Sequence, residues 1–130
     1  MTLKTLLDGL KILSTNVDEN FEVKDIKIHS KSVDDGDLFL CMKGVRDDGN
    51  KHLDEIKKNF VAITEIPPQN TDIKYVQVED VREAYSIVSS NYFAHPLDGM
   101  KFVAVVGTNG KTSTAHYINS ILTNCGFKTG

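Results

Sequence analysis

Residues 102–114 read Phe102-Val103-Ala104-Val105-Val106-Gly107-Thr108-Asn109-Gly110-Lys111-Thr112-Ser113-Thr114: an apolar run, a turn bounded by two glycines, then Lys-Thr. The pattern predicts a strand over 102–106, a loop over 107–110 and a helix from Lys111. Ile118, Ile121 and Leu122 carry that helix onward, and Gly126 is placed to end it. Strand, glycine loop and helix start in this order make a phosphate cradle, because glycine lets successive N–H groups converge and the helix N-terminus adds its positive dipole end. The candidate nucleotide-phosphate site is therefore Gly107, Thr108, Asn109, Gly110, Lys111, Thr112 and Ser113. Lys111 would bridge the β- and γ-phosphates, and the Thr112 hydroxyl would ligate Mg²⁺. The general phosphate-loop pattern asks for glycine at position 105, where this chain has Val105. The same residues could also form a plain glycine turn with a solvated lysine.

Around this stretch the chain is ordinary. It has 130 residues, 40% of them hydrophobic and 25% charged, and a formal net charge of −3. That charge, with no basic run, argues against nucleic acid or an anionic membrane as partner, so any anion must be held by a local site. Cys41 and Cys125 have no metal-ligand spacing and read as reduced packing residues. The charged N-terminus lacks a signal-peptide pattern and no apolar run reaches membrane-spanning length, so a cytoplasmic chain without membrane insertion is expected.

Leu3, Leu6, Leu7, Leu10 and Leu13 recur at three- and four-residue steps and predict one amphipathic first helix. Val23, Ile26 and Ile28 lead into a short strand, and Asp37 to Met42 reads as a strand buried on both faces. His52 to Asn59 predicts a helix; Phe60 to Thr64 and Tyr75 to Val78 predict two more strands. Asp80 with Glu83 makes a capping-box pair for a helix that turns Val81, Ala84, Tyr85, Val88 and Tyr92 inward and ends near Ala94. Alternating strands and helices predict an α/β domain over 1–95, a linker over 96–101, and the start of a second domain over 102–130.

The loop Gly107-Thr108-Asn109-Gly110-Lys111-Thr112 resembles the ATP-binding loop of the Mur ligases, which carry their first glycine elsewhere. Ser30-Lys31-Ser32-Val33-Asp34-Asp35-Gly36-Asp37-Leu38-Phe39 looks like the family's D-S-R-x-x-x-x-G-D-L-F segment, and Lys43 to Gly49 like its K-G-x-x-x-D-G-H loop. Residues 76–82 look like the strand and helix start that precede the linker. The resemblance implies an N-terminal domain that binds the UDP part of a UDP-N-acetylmuramoyl-peptide, followed by the first strand, phosphate loop and helix of a truncated P-loop ATPase-like domain. It assigns uridine contact to Ser30 and places Lys43, Gly44, Val45, Arg46 and Asp47 in the loop closing over it. Three departures touch that end: His29 stands for Asp, Lys31 for Arg and Asn50 for His. Lysine lacks the planar fork that lets Arg grip an anion with two hydrogen bonds. Val106 also replaces a common threonine.

The Thr-Asn pair favours the family's tripeptide synthetases, ATP-dependent ligases that add the third amino acid through an acyl phosphate. The resemblance thus implies ATP and Mg²⁺ as cofactors, Lys111 and Thr112 as the residues acting on the transferred phosphoryl group, and a monomer; these residues alone should not complete the reaction. A stand-alone UDP-sugar-binding module, the D-alanyl-D-alanine-adding type of Mur ligase, and a small phosphotransferase are the competing readings. The four histidines form no ligand set, and Asp34-Asp35 and Asp47-Asp48 flank glycines in turns, where aspartate serves local backbone hydrogen bonds.

Overall fold

A computed structural model describes residues 1–43 and 49–130. Two compact units divide it, 1–97 and 98–130.

The first unit is a five-stranded sheet in the order β1-β5-β4-β3-β2, made of β1 (Ile12–Thr15), β2 (Ile26–Lys27), β3 (Leu38–Leu40), β4 (Val61–Thr64) and β5 (Lys74–Val78). Strands β2 to β5 are parallel and β1 joins β5 antiparallel. Every residue of β3 and β4 is buried, as continuous apolar runs require when both faces of a parallel sheet are covered. One face carries Leu38, Leu40, Val61, Ile63, Val76 and Val78 against helices α1 (Leu3–Leu6) and α2 (Val81–Tyr92). The other carries Phe39, Cys41 and Ala62 against Val33, Leu53, Phe60 and Ile73, with Phe39 and Phe60 meeting edge to face at 6.4 Å. Each such aliphatic or aromatic side chain contributes about 1.5–3 kcal/mol when fully buried.

Local chemistry fixes the helix ends. Asp80 caps α2 by accepting from Arg82 N at 2.6 Å and Glu83 N at 3.2 Å, while the Val81 N–H donates to Glu65 Oε1 at 3.3 Å. Val81, Ala84, Val88 and Asn91 form its buried stripe; Tyr85, expected inside, is 38% exposed. Asn91 Nδ2 donates to the carbonyls of Leu6 and Asp8, both at 2.9 Å, fastening α2 to the end of α1. Asp25 accepts hydrogen bonds from Lys27 and the Tyr92 hydroxyl. The Lys27 ammonium holds the Asp25 carboxyl below its ordinary pKa, and the Asp25 charge in turn raises that of Tyr92.

The structure corrects three sequence expectations. The leucine-spaced first helix is only one turn: Gly9 adopts φ 77° and the chain reverses into β1, so Leu13 lies on a strand and is 47% exposed. The helix expected over His52–Asn59 is instead a 3₁₀ helix, Gly49–Glu55. Residues 102–106 form no strand; Phe102, Val103 and Val106 are 68%, 64% and 89% exposed. A strand exists through hydrogen bonds to a neighbour, and the described residues of the second unit supply none.

After α2, Ala94 and His95 take φ 55° and 53°, a left-handed pair without glycine. His95 N donates to Ser90 O at 2.7 Å and so holds the conformation. An L residue there costs about 1–2 kcal/mol, partly offset by the entropy that glycine would lose on folding. Ala94→Gly is therefore expected to stabilise the first unit by about 0.5–1 kcal/mol, a rise of roughly 2–6 °C in a thermal melt; a lower midpoint would contradict it.

The second unit holds helix α3 (Lys111–Asn124). Gly126 ends it at φ 84° in a paired cap, with Gly126 N donating to Thr123 O and Phe127 N to Leu122 O, both at 3.0 Å.

Candidate functional site

In the second unit the loop takes the conformation that its glycines permit. Gly107 has φ 151° and Gly110, the residue preceding α3, has φ 75°. No side chain caps α3 and its first turn holds no acidic residue, so the N–H groups of the first turn point outward without intrahelical acceptors. Lys111 folds back over the loop, its ammonium donating to Gly107 O at 2.7 Å and Thr108 O at 3.4 Å. Cation, helix start and both glycines thus share one small volume. Thr112 and Ser113 are exposed in the first turn. Thr112 also lines a groove of about 670 Å³ with His116, Asn119, Thr123 and Phe127, beside α3. That groove is larger, but the convergence of donors is at Lys111, and donors decide where an anion binds.

These residues fit a nucleotide triphosphate with Mg²⁺. The turn supplies backbone amides, Lys111 a point charge, and Thr112 one oxygen ligand; Mg²⁺ characteristically completes its octahedron with phosphate and water oxygens. Among the described residues no group of three or more His, Cys, Asp or Glu side chains could hold a metal by itself.

In the first unit Ser30, Lys43 and Thr64 lie at or after the carboxyl ends of β2, β3 and β4, where open α/β sheets place ligands, whereas Lys57 and Lys58 lead into the amino end of β4. Ser30 begins the short 3₁₀ segment Ser30–Ser32 after β2 and is half-buried. It shares a pocket of about 230 Å³ with Lys31, Val33, Glu55, Lys57 and Lys58. Lys43 is exposed, and its carbonyl accepts from Arg82 Nη2 of α2 at 3.1 Å. Gly44, Val45, Arg46 and Asp47 lie outside the described residues. Asn50, which stands where the family has histidine, accepts a hydrogen bond at Oδ1 from Thr64, a hydroxyl wholly buried at the end of β4. Thr64 Oγ1 also accepts from Ile66 N at 3.2 Å.

Three residues that organise this edge were read from the sequence only as parts of a loop, a strand and a helix start. Gly49 N donates to Met42 O at 3.2 Å, and a Cβ on Gly49 would lie 2.9 Å from Cys41 Cα. Thr64 looks like one more β-branched strand residue, and Arg82 like a solvated helix charge. Their signals are a glycine next to a turn and polar atoms at strand and helix ends, which pattern alone does not separate from solvent-facing residues. The Asp34-Asp35-Gly36-Asp37 segment is bound up in structure: Asp37 Oδ2 accepts from Asp34 N at 2.9 Å and Asp35 Oδ1 from Asn59 N at 2.6 Å. Cys41 is buried as expected, but Cys125 is exposed.

No protein-family model matches the chain. Among curated proteins, the UDP-N-acetylmuramoyl-L-alanyl-D-glutamate–2,6-diaminopimelate ligase of Clostridium perfringens is 40% identical over 133 residues, covering 100% of this chain and 28% of the relative. The enzyme of the same name from Clostridioides difficile is 34% identical over 127 residues, covering 95% of this chain and 26% of its own. Among solved structures, MurF from Acinetobacter baumannii aligns with TM-score 0.66 at 26% identity over 95% of this chain and 27% of that one. A UDP-N-acetylmuramoylalanyl-D-glutamyl-2,6-diaminopimelate–D-alanyl-D-alanyl ligase from the same organism gives 0.64 at 26%, covering 95% and 28%. The chain thus spans between a quarter and a third of these proteins' lengths.

Proposed function

Because the chain belongs to the Mur ligase family and matches its N-terminal portion, we infer that it is the uridine-nucleotide-binding domain, 1–95, the linker, 96–101, and the beginning of the ATP-binding domain, 102–130, of a cytoplasmic ligase. The ligase adds diaminopimelate or another third amino acid to UDP-N-acetylmuramoyl-L-alanyl-D-glutamate in peptidoglycan synthesis. The observation that carries the reading is the Lys111 ammonium seated on the Gly107 carbonyl at the uncapped start of α3. In the whole enzyme, the substrate carboxylate would become an acyl phosphate that the incoming amine attacks. Lys111 would stabilise charge on the transferred group, the loop amides would hold the phosphates, and Thr112 would fix one position around Mg²⁺. Such a site works by positioning and charge, so no residue here need act as nucleophile. Ser30 and Lys43, with Gly44 to Asp47, would serve the uridine end.

The second reading, a D-alanyl-D-alanine-adding ligase, is favoured by the solved structures. The 40% identity to a diaminopimelate ligase, against 26% to those structures, and the Thr108-Asn109 pair support the first.

Calorimetry with UDP and ATP titrated separately into the chain tests the assignment. UDP should bind. ATP should bind more weakly, and Lys111→Gln should lower its affinity by about tenfold, the size of one charge-assisted contact. Mixed with ATP, UDP-muramoyl dipeptide and diaminopimelate, the chain alone should yield no ADP and no new amide; formation of both would show the site to be complete. Absence of UDP binding would remove the nucleotide reading of the first unit.

A further inference from the structure

Of the chain's nine asparagines, only Asn109 is followed by glycine. It is exposed in the loop before α3, and among the described residues no hydrogen bond engages its side chain. Gly110 has φ 75° and ψ 1°, with open space where a Cβ would stand. Its carbonyl accepts from Thr114 N at 2.9 Å, but its own N–H donates to no backbone carbonyl among the described residues. The other asparagines are held. Asn16, Asn20, Asn59, Asn70 and Asn91 each engage the side-chain amide in a hydrogen bond, as Asn50 does with Thr64. Asn119 and Asn124 lie on α3, and the Cys125 N–H after the second donates to Ile121 O at 3.0 Å.

We propose that Asn109 and Gly110 form a self-modification site, where the Gly110 nitrogen attacks the Asn109 side-chain amide and turns the asparagine into aspartate and isoaspartate. The nitrogen gives its proton to solvent base as its bond to Cγ forms. The bond from Cγ to Nδ2 then breaks, and Nδ2 takes a proton from water and leaves as ammonia. One water opens the resulting cyclic imide at either carbonyl. Opening on one side restores the main chain with a side-chain carboxyl; opening on the other routes the main chain through Cγ. The net change is one water consumed and one ammonia released. A Cβ on the following residue, a hydrogen bond on its N–H, or a held amide each hinders the attack, and none of the three stands in the way here. Both products place a carboxylate beside Lys111 and the uncapped start of α3, where it competes with any bound anion. That consequence rests on the nucleotide reading of the second unit, whereas the modification does not.

The test incubates the full chain in mildly alkaline buffer and digests it with trypsin, which releases residues 102–111 as one peptide. Mass spectrometry should show this peptide gaining the mass of an amide turned into an acid, as two products separable by chromatography, faster than every other asparagine-bearing peptide. Asn109→Gln, whose longer side chain needs a larger ring, should lose the gain. In calorimetry Asn109→Asp should bind ATP about tenfold more weakly than the unaltered chain, as one misplaced like charge predicts. A 102–111 peptide that stays unchanged in the native chain while the urea-unfolded chain converts overturns the proposal, because the loop would then block the attack. Conversion at one rate in all asparagine peptides overturns it too. Equal ATP binding by the unaltered chain and Asn109→Asp overturns the consequence for the anion and leaves the modification standing. Binding by neither removes the nucleotide reading and the consequence together, while the mass gain still decides the modification.

Discussion

Asn91→Asp is expected to lower the unfolding free energy of the first unit by about 3–5 kcal/mol at pH 7, a large share of the roughly 5–15 kcal/mol a domain possesses. Asn91 is 8% exposed, and its amide Nδ2 donates to two carbonyls, Leu6 O and Asp8 O. The substitution keeps the shape and turns both donated contacts into oxygen against oxygen. It also places a charge where burial penalises it. Asn91→Ala removes the donors without adding charge and should cost about 2–3 kcal/mol. The two variants separate further with pH. Burial and the facing carbonyls would raise the introduced carboxyl's pKa above its unfolded value, so protonation favours the folded state. The excess cost of Asn91→Asp over Asn91→Ala is then full above the folded pKa and shrinks as pH falls through it, because a protonated carboxyl can donate one hydrogen bond. Urea unfolding of both variants and the unaltered chain at pH 7 and pH 5 reads this directly. Equal cost of the two variants at pH 7 would mean that the Asn91 amide does not hold α1 to α2.

The buried strands were legible because their runs are apolar on both faces: Leu38 to Leu40 and Val61 to Thr64 can only be central strands of a covered sheet. The edge strand β1 was not. Leu3, Leu6, Leu7 and Leu10 do pack into one core, so three- and four-residue spacing was a true sign of burial and a false sign of continuous helix. Gly9 at φ 77° breaks the period. What stabilises β1 is long-range: Ser14 Oγ on Gln77 Oε1 at 2.8 Å, Thr15 Oγ1 on Tyr75 O at 2.9 Å, and Asn16 exchanging hydrogen bonds with Ile73 O and Tyr75 N. Partners some sixty residues away leave no trace in a local window.

The glycine φ values at 107 and 110 and the Lys111 contacts of the expected phosphate loop are local properties, the kind that spacing can indicate. The strand expected over Phe102 to Val106 is not formed, because among the described residues of the second unit none pairs with it. The uridine end divides the same way. Ser30 was named from the sequence by resemblance and Lys31 only as a departure, whereas Lys57 and Lys58 were not named, because their meeting with Ser30 in one pocket depends on two crossovers of the sheet. Asp34 and Asp35 read as turn aspartates serving local backbone hydrogen bonds, and the carboxylates of Asp35 and Asp37 do accept backbone N–H groups and fasten the turn before β3 to Asn59. A motif can persist because a turn needs it as well as because a ligand does.

Gly49→Ala should be the costliest glycine substitution among the described residues of the first unit, lowering its stability by about 1–3 kcal/mol and weakening UDP binding with it. The added Cβ would lie 2.9 Å from Cys41 Cα and 3.1 Å from its carbonyl carbon, so backbone, and not a flexible side chain, must give way. Movement there is resisted on both sides. Cys41 N is bonded to Ile63 O at 2.9 Å, extending the β3–β4 ladder, and Gly49 N to Met42 O at 3.2 Å. Gly9→Ala is the control: at φ 77° its cost is conformational, about 1–2 kcal/mol, and nothing lies within 4 Å of the new Cβ. Gly36→Ala combines a φ of 91° with contact to the Lys24 side chain at 3.1 Å, which can swing aside. Since Gly49 leads directly to Asn50 and its hydrogen bond with Thr64, a shift there displaces the strand-end residues that border the proposed uridine site, whereas a change at Gly9 leaves them in place. Thermal unfolding paired with UDP calorimetry separates the two effects: Gly49→Ala should lower both midpoint and affinity, Gly9→Ala the midpoint alone. Unchanged UDP affinity in a folded Gly49→Ala chain would detach the uridine site from the Cys41–Gly49 junction.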